Sequence, residues 1–188
     1  MSSLIFLGIL IVVLIYGISL YNNLVQVKNA VAKAWANIDV LLKQRHDELP
    51  KLVEVCKQYK QFEQETLQRV IAARSQVQSA RESHNIPALG MAEGAMRASL
   101  GGLFAVAEAY PELKANEHFM QLQTRITGLE NGIADRREFY NDAVNINNVS
   151  IEQFPAILIA RLFSFTGKPL LKFSAAEKSD VDMKTLFN

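Results

Sequence analysis

The feature that most constrains this chain is an uncharged apolar run close to its N-terminus. Residues Leu4–Leu20 contain no charged side chain, and the first charged residue is Lys28. An α-helix needs about 17–25 apolar residues to cross a bilayer, so this run predicts a transmembrane helix that contacts lipid from Leu4 to Leu20. Tyr16 and Tyr21 stand where aromatic side chains anchor a helix at the headgroup level. The run therefore predicts a single-pass membrane protein.

A cleaved signal peptide is the alternative interpretation of the same run. Residues Gly17–Ser19 faintly resemble a small-residue cleavage site. However, Met1–Ser3 carry no Lys or Arg, and the apolar run is longer than the usual core of a signal peptide. We therefore expect an uncleaved anchor.

The charges that flank the run predict its orientation. Lys28, Lys33, Lys43 and Arg45 follow it, whereas the three residues before Leu4 are uncharged. Basic residues prefer the cytoplasmic side of a membrane, so the rest of the chain is expected in the cytoplasm.

Behind the anchor, apolar residues recur three and four positions apart, which predicts amphipathic helices. Nothing breaks the pattern after Leu20, so the anchor and the first such helix are expected to form one continuous rod. A break is expected at His46–Pro50, with Asp47 as the N-cap of a second helix that ends near Ser79. The stripe of the first helix consists of Leu24, Val27, Val31, Ala34, Ile38, Leu41 and Arg45.

Three further segments complete the predicted fold. Residues Ala80–Pro87 lack a stripe and are expected to form a loop, followed by a third helix over about Ala88–Tyr110 and a fourth over about Pro111–Val149. Long helices joined by short loops favour an antiparallel bundle. The predicted fold is therefore all-α, an N-terminal transmembrane helix that continues into an antiparallel four-helix bundle with long helices.

A short apolar stretch follows Phe154 and ends before Gly167. At about ten residues it is too short to span a bilayer. We expect it to pack on the end of the bundle, with a position in the membrane interface as the alternative. The predicted domains are an anchor at 1–27, a bundle at 28–165 and a C-terminal tail at 166–188.

Composition and motifs exclude several classes of function. The formal net charge of +1 gives no reason to propose a nucleic acid as partner, and the single Cys56 excludes a disulfide scaffold. His46, Asp47 and Glu48 are adjacent but lack metal-ligand spacing, and no histidine near Cys56 in the sequence supplies a catalytic base. The sequence therefore predicts no catalytic, cofactor-binding or metal-binding residue and no cofactor.

Two arginines are expected to form structural ion pairs. Arg45 and Arg136 fall on the apolar stripes of different helices, where a charge is costly unless it is paired. Asp39 or Asp47 is the expected partner, and a ligand-binding role of this polar group, which also includes Lys43, is the alternative. Trp35 is expected in helix packing, and the asparagines at 141, 145, 147 and 148 are expected to bridge helices, cap an end or face a partner.

Five sequence blocks carry a family resemblance: Tyr21–Val25, Ala34–Val40, Leu42–Val53, Ala109–Asn116 and Arg137–Val144, with Phe154-Pro155 and Ala160–Phe163 as a closing segment. Their order resembles the LemA family of bacterial membrane proteins from about Tyr21 to Phe165. The chain departs from the family at Asn147-Asn148, which lack the usual Tyr, and in its tail. The resemblance implies a helical bundle behind an anchor in the bacterial inner membrane, and it implies no established enzymatic activity or cofactor.

These patterns predict a non-enzymatic interaction or scaffold protein, with other membrane proteins or further copies of the chain as partners and coiled-coil-like packing. The first alternative is a self-assembling oligomer that organises or remodels membrane. An enzyme with an unrecognised site ranks last.

Overall fold

The computed structural model describes residues 1–59 and 62–172. Over these residues the regular structure is entirely helical, with no strand. The predicted all-α helical bundle is therefore confirmed. The helices are α1 (Ser2–Lys57), α2 (Gln64–Glu82), α3 (Ile86–Ala107), α4 (Pro111–Lys114), α5 (Glu117–Glu152) and α6 (Ala156–Leu162).

The chain divides into two compact units. The first unit contains Met1–Leu41 and Ile133–Leu170, so it holds the start of α1, the later part of α5 and all of α6. Of the described residues, the second unit contains those of Leu42–Gly132 together with Leu171 and Lys172. It holds the end of α1, the whole of α2, α3 and α4, and the start of α5.

Helix α1 runs without interruption from the apolar segment into the amphipathic segment, as predicted. The predicted break at His46–Pro50 is wrong, since Pro50 lies inside α1. Proline has no N–H, so it cannot bond to the carbonyl of residue 46, four positions earlier. Arg74 Nε donates to that His46 carbonyl at 3.0 Å instead. Asp47 is consequently an exposed residue within the helix and not an N-cap.

The chain turns just after α1, over a segment without Gly or Pro. Tyr59 and Phe62 fix this turn, and residues 60–61 between them lie outside the described residues. The Tyr59 hydroxyl accepts from Asn116 Nδ2 and donates to the Glu112 carbonyl, both at 3.3 Å. Phe62 is buried, with its ring 5.4 Å from that of Tyr110. Leu49, Leu52 and Cys56, predicted for the second helix, therefore belong to α1.

Two other boundaries differ from the prediction. The predicted loop Ala80–Pro87 shrinks to residues 83–85, because α2 extends to Glu82 and α3 begins at Ile86. Asn85 caps α3 by accepting from the Ala88 N–H at 3.1 Å. The predicted fourth helix is divided, because Asn116 accepts from the Phe119 N–H at 3.1 Å and starts α5 anew.

Each unit has its own buried apolar side chains. The stripe predicted for α1 is confirmed at its central positions, with Arg45 buried among them. In the first unit the buried apolar residues are Leu24, Val31, Ile38, Ile133, Tyr140, Val144 and Ala160. In the second unit the largest are Leu42, Leu49, Leu52, Leu89, Met96, Leu103, Leu113, Phe119 and Ile126.

The end of the described chain passes close to α3 in the second unit. A Cβ atom added to Gly90 would collide with the Lys172 carbonyl oxygen, and Leu171 beside that lysine is buried. Glycine at position 90 is therefore required by this close approach of two backbones. The remainder of the predicted tail, residues 173–188, lies outside the described residues.

Candidate functional sites: an exposed apolar segment and a buried charge cluster

The first candidate site is the apolar start of α1. Its large side chains from Leu4 to Ile18 are between 50% and 72% exposed, on all sides of the helix. Within the described residues α1 is the one helix that is long and apolar enough to cross a membrane, and 0% of its most apolar 18-residue window is buried. A core helix of a soluble protein would bury much of such a window, so this segment has no cover within the described chain.

The second candidate site is a cluster of charges inside the second unit. Arg45 is 1% exposed and its guanidinium reaches both oxygens of Glu93, which is 3% exposed. The same guanidinium donates to Glu130, which is 15% exposed and lies 3.8 Å from Arg97 Nε. Helices α1, α3 and α5 each supply part of the cluster. The predicted structural pairing of Arg45 is present, but Asp39 and Asp47 were wrong as its partners.

Burial and pairing act in opposite directions on this cluster. Burial lowers the pKa of Arg45, but Glu93 and then Glu130 raise it by more, so the guanidinium stays charged. Burial raises the pKa of the Glu93 carboxyl above its ordinary value, and Arg45 only partly offsets this effect. The cluster holds two acidic and two basic side chains, so their formal charges cancel. The cluster is therefore a structural ion-pair network that links α1, α3 and α5.

The sequence pattern does not predict Glu93 and Glu130 as the partners of Arg45. Glu93 and Arg97 are the only charged residues of α3, and they lie four positions apart on an otherwise apolar helix. That isolated pair was the signal that a charged group faces the interior, since unpaired burial of a carboxylate is costly.

The adjacent residues His46, Asp47 and Glu48 do not converge on a common point. His46 Nε2 lies 2.6 Å from Arg74 Nη2, so the ring accepts there and is neutral, and burial followed by Arg74 lowers its pKa. Glu48 is paired with Lys51 and Arg125, each at 3.2 Å. Within the described residues no group of three or more His, Cys, Asp or Glu side chains is placed to hold a metal ion.

Cys56 is fully buried in the second unit. Burial raises the pKa of its thiol to about 12. A thiol is nucleophilic only as the thiolate, so Cys56 in this environment is an inert core residue.

In the first unit, two asparagines hold a segment of chain against α5. Asn148 Nδ2 donates to the Lys168 carbonyl at 3.0 Å, and its Oδ1 accepts from the Lys168 N–H at 2.8 Å. Asn147 is buried and donates to Asn148 Oδ1 at 3.1 Å. The buried Tyr140 hydroxyl donates to the Pro169 carbonyl at 3.1 Å. We call residues 163–169 the clamped segment.

The remaining predicted residues of the first unit divide between packing and surface. Trp35 meets the ring of Tyr140 edge-on, with centroids 5.9 Å apart, which agrees with its expected role in packing. Arg136 was expected in a buried pair, but it is exposed and lies 5.7 Å from the ring of Phe139. The stripe position of Arg136 was misleading, because Ile133 and Tyr140 on the same stripe are buried whereas Arg136 itself is exposed.

Comparison with known proteins gives the family. Protein LemA of Metamycoplasma hominis is 28% identical over 168 residues, which cover 89% of this chain and 75% of that protein. Magnetosome protein MamQ 2 of Paramagnetospirillum magneticum and Magnetosome protein MamQ of Magnetospirillum gryphiswaldense are 34% and 30% identical over 74 residues. Those residues cover 39% of this chain and span only 27% of the length of each MamQ protein. The LemA family pattern itself matches residues 34–185, most of the chain, so the chain belongs to the LemA family.

Proposed function

We propose that this chain is a membrane-anchored, non-enzymatic interaction protein whose helical bundle is held at the bilayer by Leu4–Leu20 of α1. The exposed apolar start of α1 carries the proposal. Removing one large apolar side chain from water is favourable by about 1.5–3 kcal/mol. More than a dozen such side chains are exposed on this segment, so its transfer from water into lipid is strongly favourable. A helix satisfies its own backbone hydrogen bonds and can therefore sit in that surrounding.

The interior of the second unit supports an interaction role in preference to a catalytic one. The buried charges of Arg45, Glu93 and Glu130 are paired with one another, and the Cys56 thiol is protonated at neutral pH. The names of the relatives, Protein LemA and Magnetosome protein MamQ, specify no reaction.

For topology, we propose a single span of the bacterial cell membrane with the bundle on the cytoplasmic side. The basic residues that support this orientation are Lys28, Lys33 and Lys43, all exposed on α1. Arg45 no longer contributes, because its charge is neutralised inside the second unit.

Two measurements test the anchor and its orientation. Alkaline carbonate extraction of membranes should leave the full chain in the pellet, and its release into the supernatant would contradict the anchor. For orientation, Cys56→Ser combined with a cysteine added at the C-terminus should be labelled by an impermeant maleimide only after the membrane is opened. Labelling of intact cells would overturn the cytoplasmic assignment.

A second candidate function, self-assembly into a membrane-associated oligomer, is favoured by an apolar stripe on α5. Phe139, Ile146 and Val149 follow helical spacing and are each more than half exposed. Light scattering on the detergent-solubilised chain tests it. An oligomer that Phe139→Glu with Ile146→Glu dissociates would support this candidate, if Met91→Glu with Met120→Glu, which change exposed side chains of the second unit, leave it intact. A monomer in detergent would exclude self-assembly. The interaction partners would then be proteins other than further copies of this chain.

A further inference from the structure

A pocket of about 350 Å³ lies in the first unit, between α1 and the clamped segment. Its wall on α1 includes Tyr21, Lys28 and Asn29, and its opposite wall includes Phe163, Ser164 and Lys168. None of the described residues that line it is Asp or Glu. The polar residues of the lining are therefore two lysines, two asparagines and three residues that carry a hydroxyl, and all of these side chains can donate hydrogen bonds to the oxygens of an anion.

The pocket is held in shape by Asn148, which lies outside its lining, and by ring contacts between lining residues. The two hydrogen bonds between the Asn148 side chain and the Lys168 backbone hold that part of the chain in position. The ring of Tyr21 packs against those of Phe163 and Phe165, at centroid distances of 4.7 and 5.9 Å. Lys28 Nζ lies 6.0 Å from the centroid of Phe165. The pocket thus joins a fixed aromatic floor to two exposed lysines.

The depth of the pocket along α1 matches the headgroup layer of a bilayer. With a rise of about 1.5 Å per residue, a hydrocarbon core of about 30 Å that begins at Leu4 ends near Asn23. Lys28 is then about 6–8 Å beyond the core, and the headgroup layer is about 5–8 Å thick. The lysine is therefore level with the lipid phosphates.

Helix α6 ends immediately before the lining residue Phe163 and carries exposed apolar side chains. Leu158 is 59% and Leu162 73% exposed, and Phe154, just before the helix, is 82% exposed. Arg161 is also exposed on the same short helix. Apolar side chains mixed with a basic residue are typical of a segment that lies in the membrane interface. The sequence-based expectation that this stretch packs on the bundle holds for the other residues of α6, since Ala160 is buried and Ala156, Ile157 and Ile159 are half-buried.

We infer that the pocket between Tyr21–Asn29 and residues 163–168 binds the phosphate headgroup of an anionic phospholipid, with α6 resting in the interface of the same leaflet. This inference rests on the proposed membrane span. The two lysines supply the charge, the aromatic floor contacts the glycerol region, and the apolar side chains of α6 reach the upper acyl chains. The site retains a lipid of one charge class beside the anchor.

Native mass spectrometry of the full chain in detergent, titrated with phosphatidylglycerol or phosphatidylcholine, tests the inference. We expect the chain to prefer phosphatidylglycerol by about tenfold or more, since a lysine near an anionic lipid contributes about fivefold. Lys28→Gln with Lys168→Gln should remove this preference, whereas Lys28→Arg with Lys168→Arg should keep it. Lys33→Gln with Lys43→Gln makes the same change of charge outside the pocket and should leave the preference intact. Equal loss in both glutamine pairs, or in neither, would overturn the inference.

A competition arm separates a lipid from a soluble phosphate. Millimolar inorganic phosphate should not displace phosphatidylglycerol, and displacement that depends on Lys28 and Lys168 would assign the pocket to a soluble ligand and overturn the lipid proposal. Carbonate extraction of membranes that contain the same chain distinguishes a failure of the lipid-binding proposal from a failure of the proposed membrane anchor. A chain that stays in the membrane but shows no lipid preference contradicts the pocket alone, whereas a chain that is extracted contradicts the proposed function.

Discussion

The two units bury polar side chains in different ways. The second unit buries full charges, with Arg45 bound to Glu93 and Glu130. The first unit buries a neutral amide, Asn147, next to Asn148, and their bonds go to each other and to backbone groups. A buried charge that loses its partner keeps a large desolvation cost, whereas an amide loses only a hydrogen bond. The second unit should therefore depend much more strongly on single polar residues than the first.

The largest expected effect is the removal of one member of the charge cluster. Arg45→Met leaves Glu93 and Glu130 without their shared cation, and we expect a loss of about 3–5 kcal/mol in the free energy of unfolding. The measurement is urea unfolding of the full chain in detergent, followed by circular dichroism. Arg97→Met is the control and should cost less than about 1 kcal/mol, because Arg97 is 42% exposed. The triple variant Arg45→Met, Glu93→Leu, Glu130→Leu should recover most of the loss. Equal losses of stability in Arg45→Met and Arg97→Met would contradict the special dependence of the second unit on its buried charge.

The next effect concerns how the second unit holds the end of the described chain. Gly90→Ala places a methyl group against the Lys172 carbonyl and should destabilise the unit by about 1–3 kcal/mol. Gly101→Ala lies on the same helix with nothing within 4 Å of the added Cβ, so it should stabilise by about 0.5–1 kcal/mol. The same unfolding measurement compares the two variants. If both change stability in the same direction, the close approach at Gly90 is wrong.

A smaller effect is expected where the first unit holds its clamped segment. Asn148→Ala removes both hydrogen bonds to Lys168 and should cost about 1–2 kcal/mol. Chymotrypsin should then cleave faster at Phe165, because the clamped segment opens more often. Asn145→Ala changes an exposed asparagine of the same helix and should leave cleavage unchanged. A cost as large as that of Arg45→Met would show that neutral and charged interiors are equally sensitive.

The smallest effect is a pH dependence confined to the second unit. The folded state raises the pKa of Glu93, so it binds a proton more tightly there than the unfolded state does. The stability contributed by that proton is fully present when the pH is below about 4.3, the ordinary pKa of Glu. It is lost as the pH rises through the raised pKa that Glu93 has in the folded state. Glu93→Gln cannot titrate, so the stability of the wild type relative to this variant should fall as pH rises through that window. A difference that stays constant with pH would contradict the raised pKa. His46 has its pKa lowered and works in the opposite direction, but it is common to both proteins.

The periodicity of apolar residues predicts much of the fold. The helix ends that it predicts wrongly share one cause, which is that they depend on contacts with residues far along the chain. The buried stripe of α1, with Leu24, Val31 and Ile38, was predictable because helical period alone selects a face. The local pattern predicts a break at Pro50, where α1 continues, and predicts a continuous helix beyond Lys57, where α1 ends. Proline usually ends a helix, but here Arg74 satisfies the carbonyl that Pro50 leaves free. The chain after Lys57 has no Gly or Pro before α2, and the end of α1 there depends on contacts of Tyr59 and Phe62 with residues far along the chain.

The candidate sites divide in the same way. The sequence by itself determined the apolar segment Leu4–Leu20, because length and lack of charge suffice to define a helix that could cross a bilayer. It also determined that Arg45 lies on a buried face and needs a partner. Only the tertiary structure decided that Glu93 and Glu130 are those partners, and that Lys28 and Lys168 share one pocket. These residues are separated by 37 to 140 positions, and periodicity within a helix carries no information about which distant face will meet it.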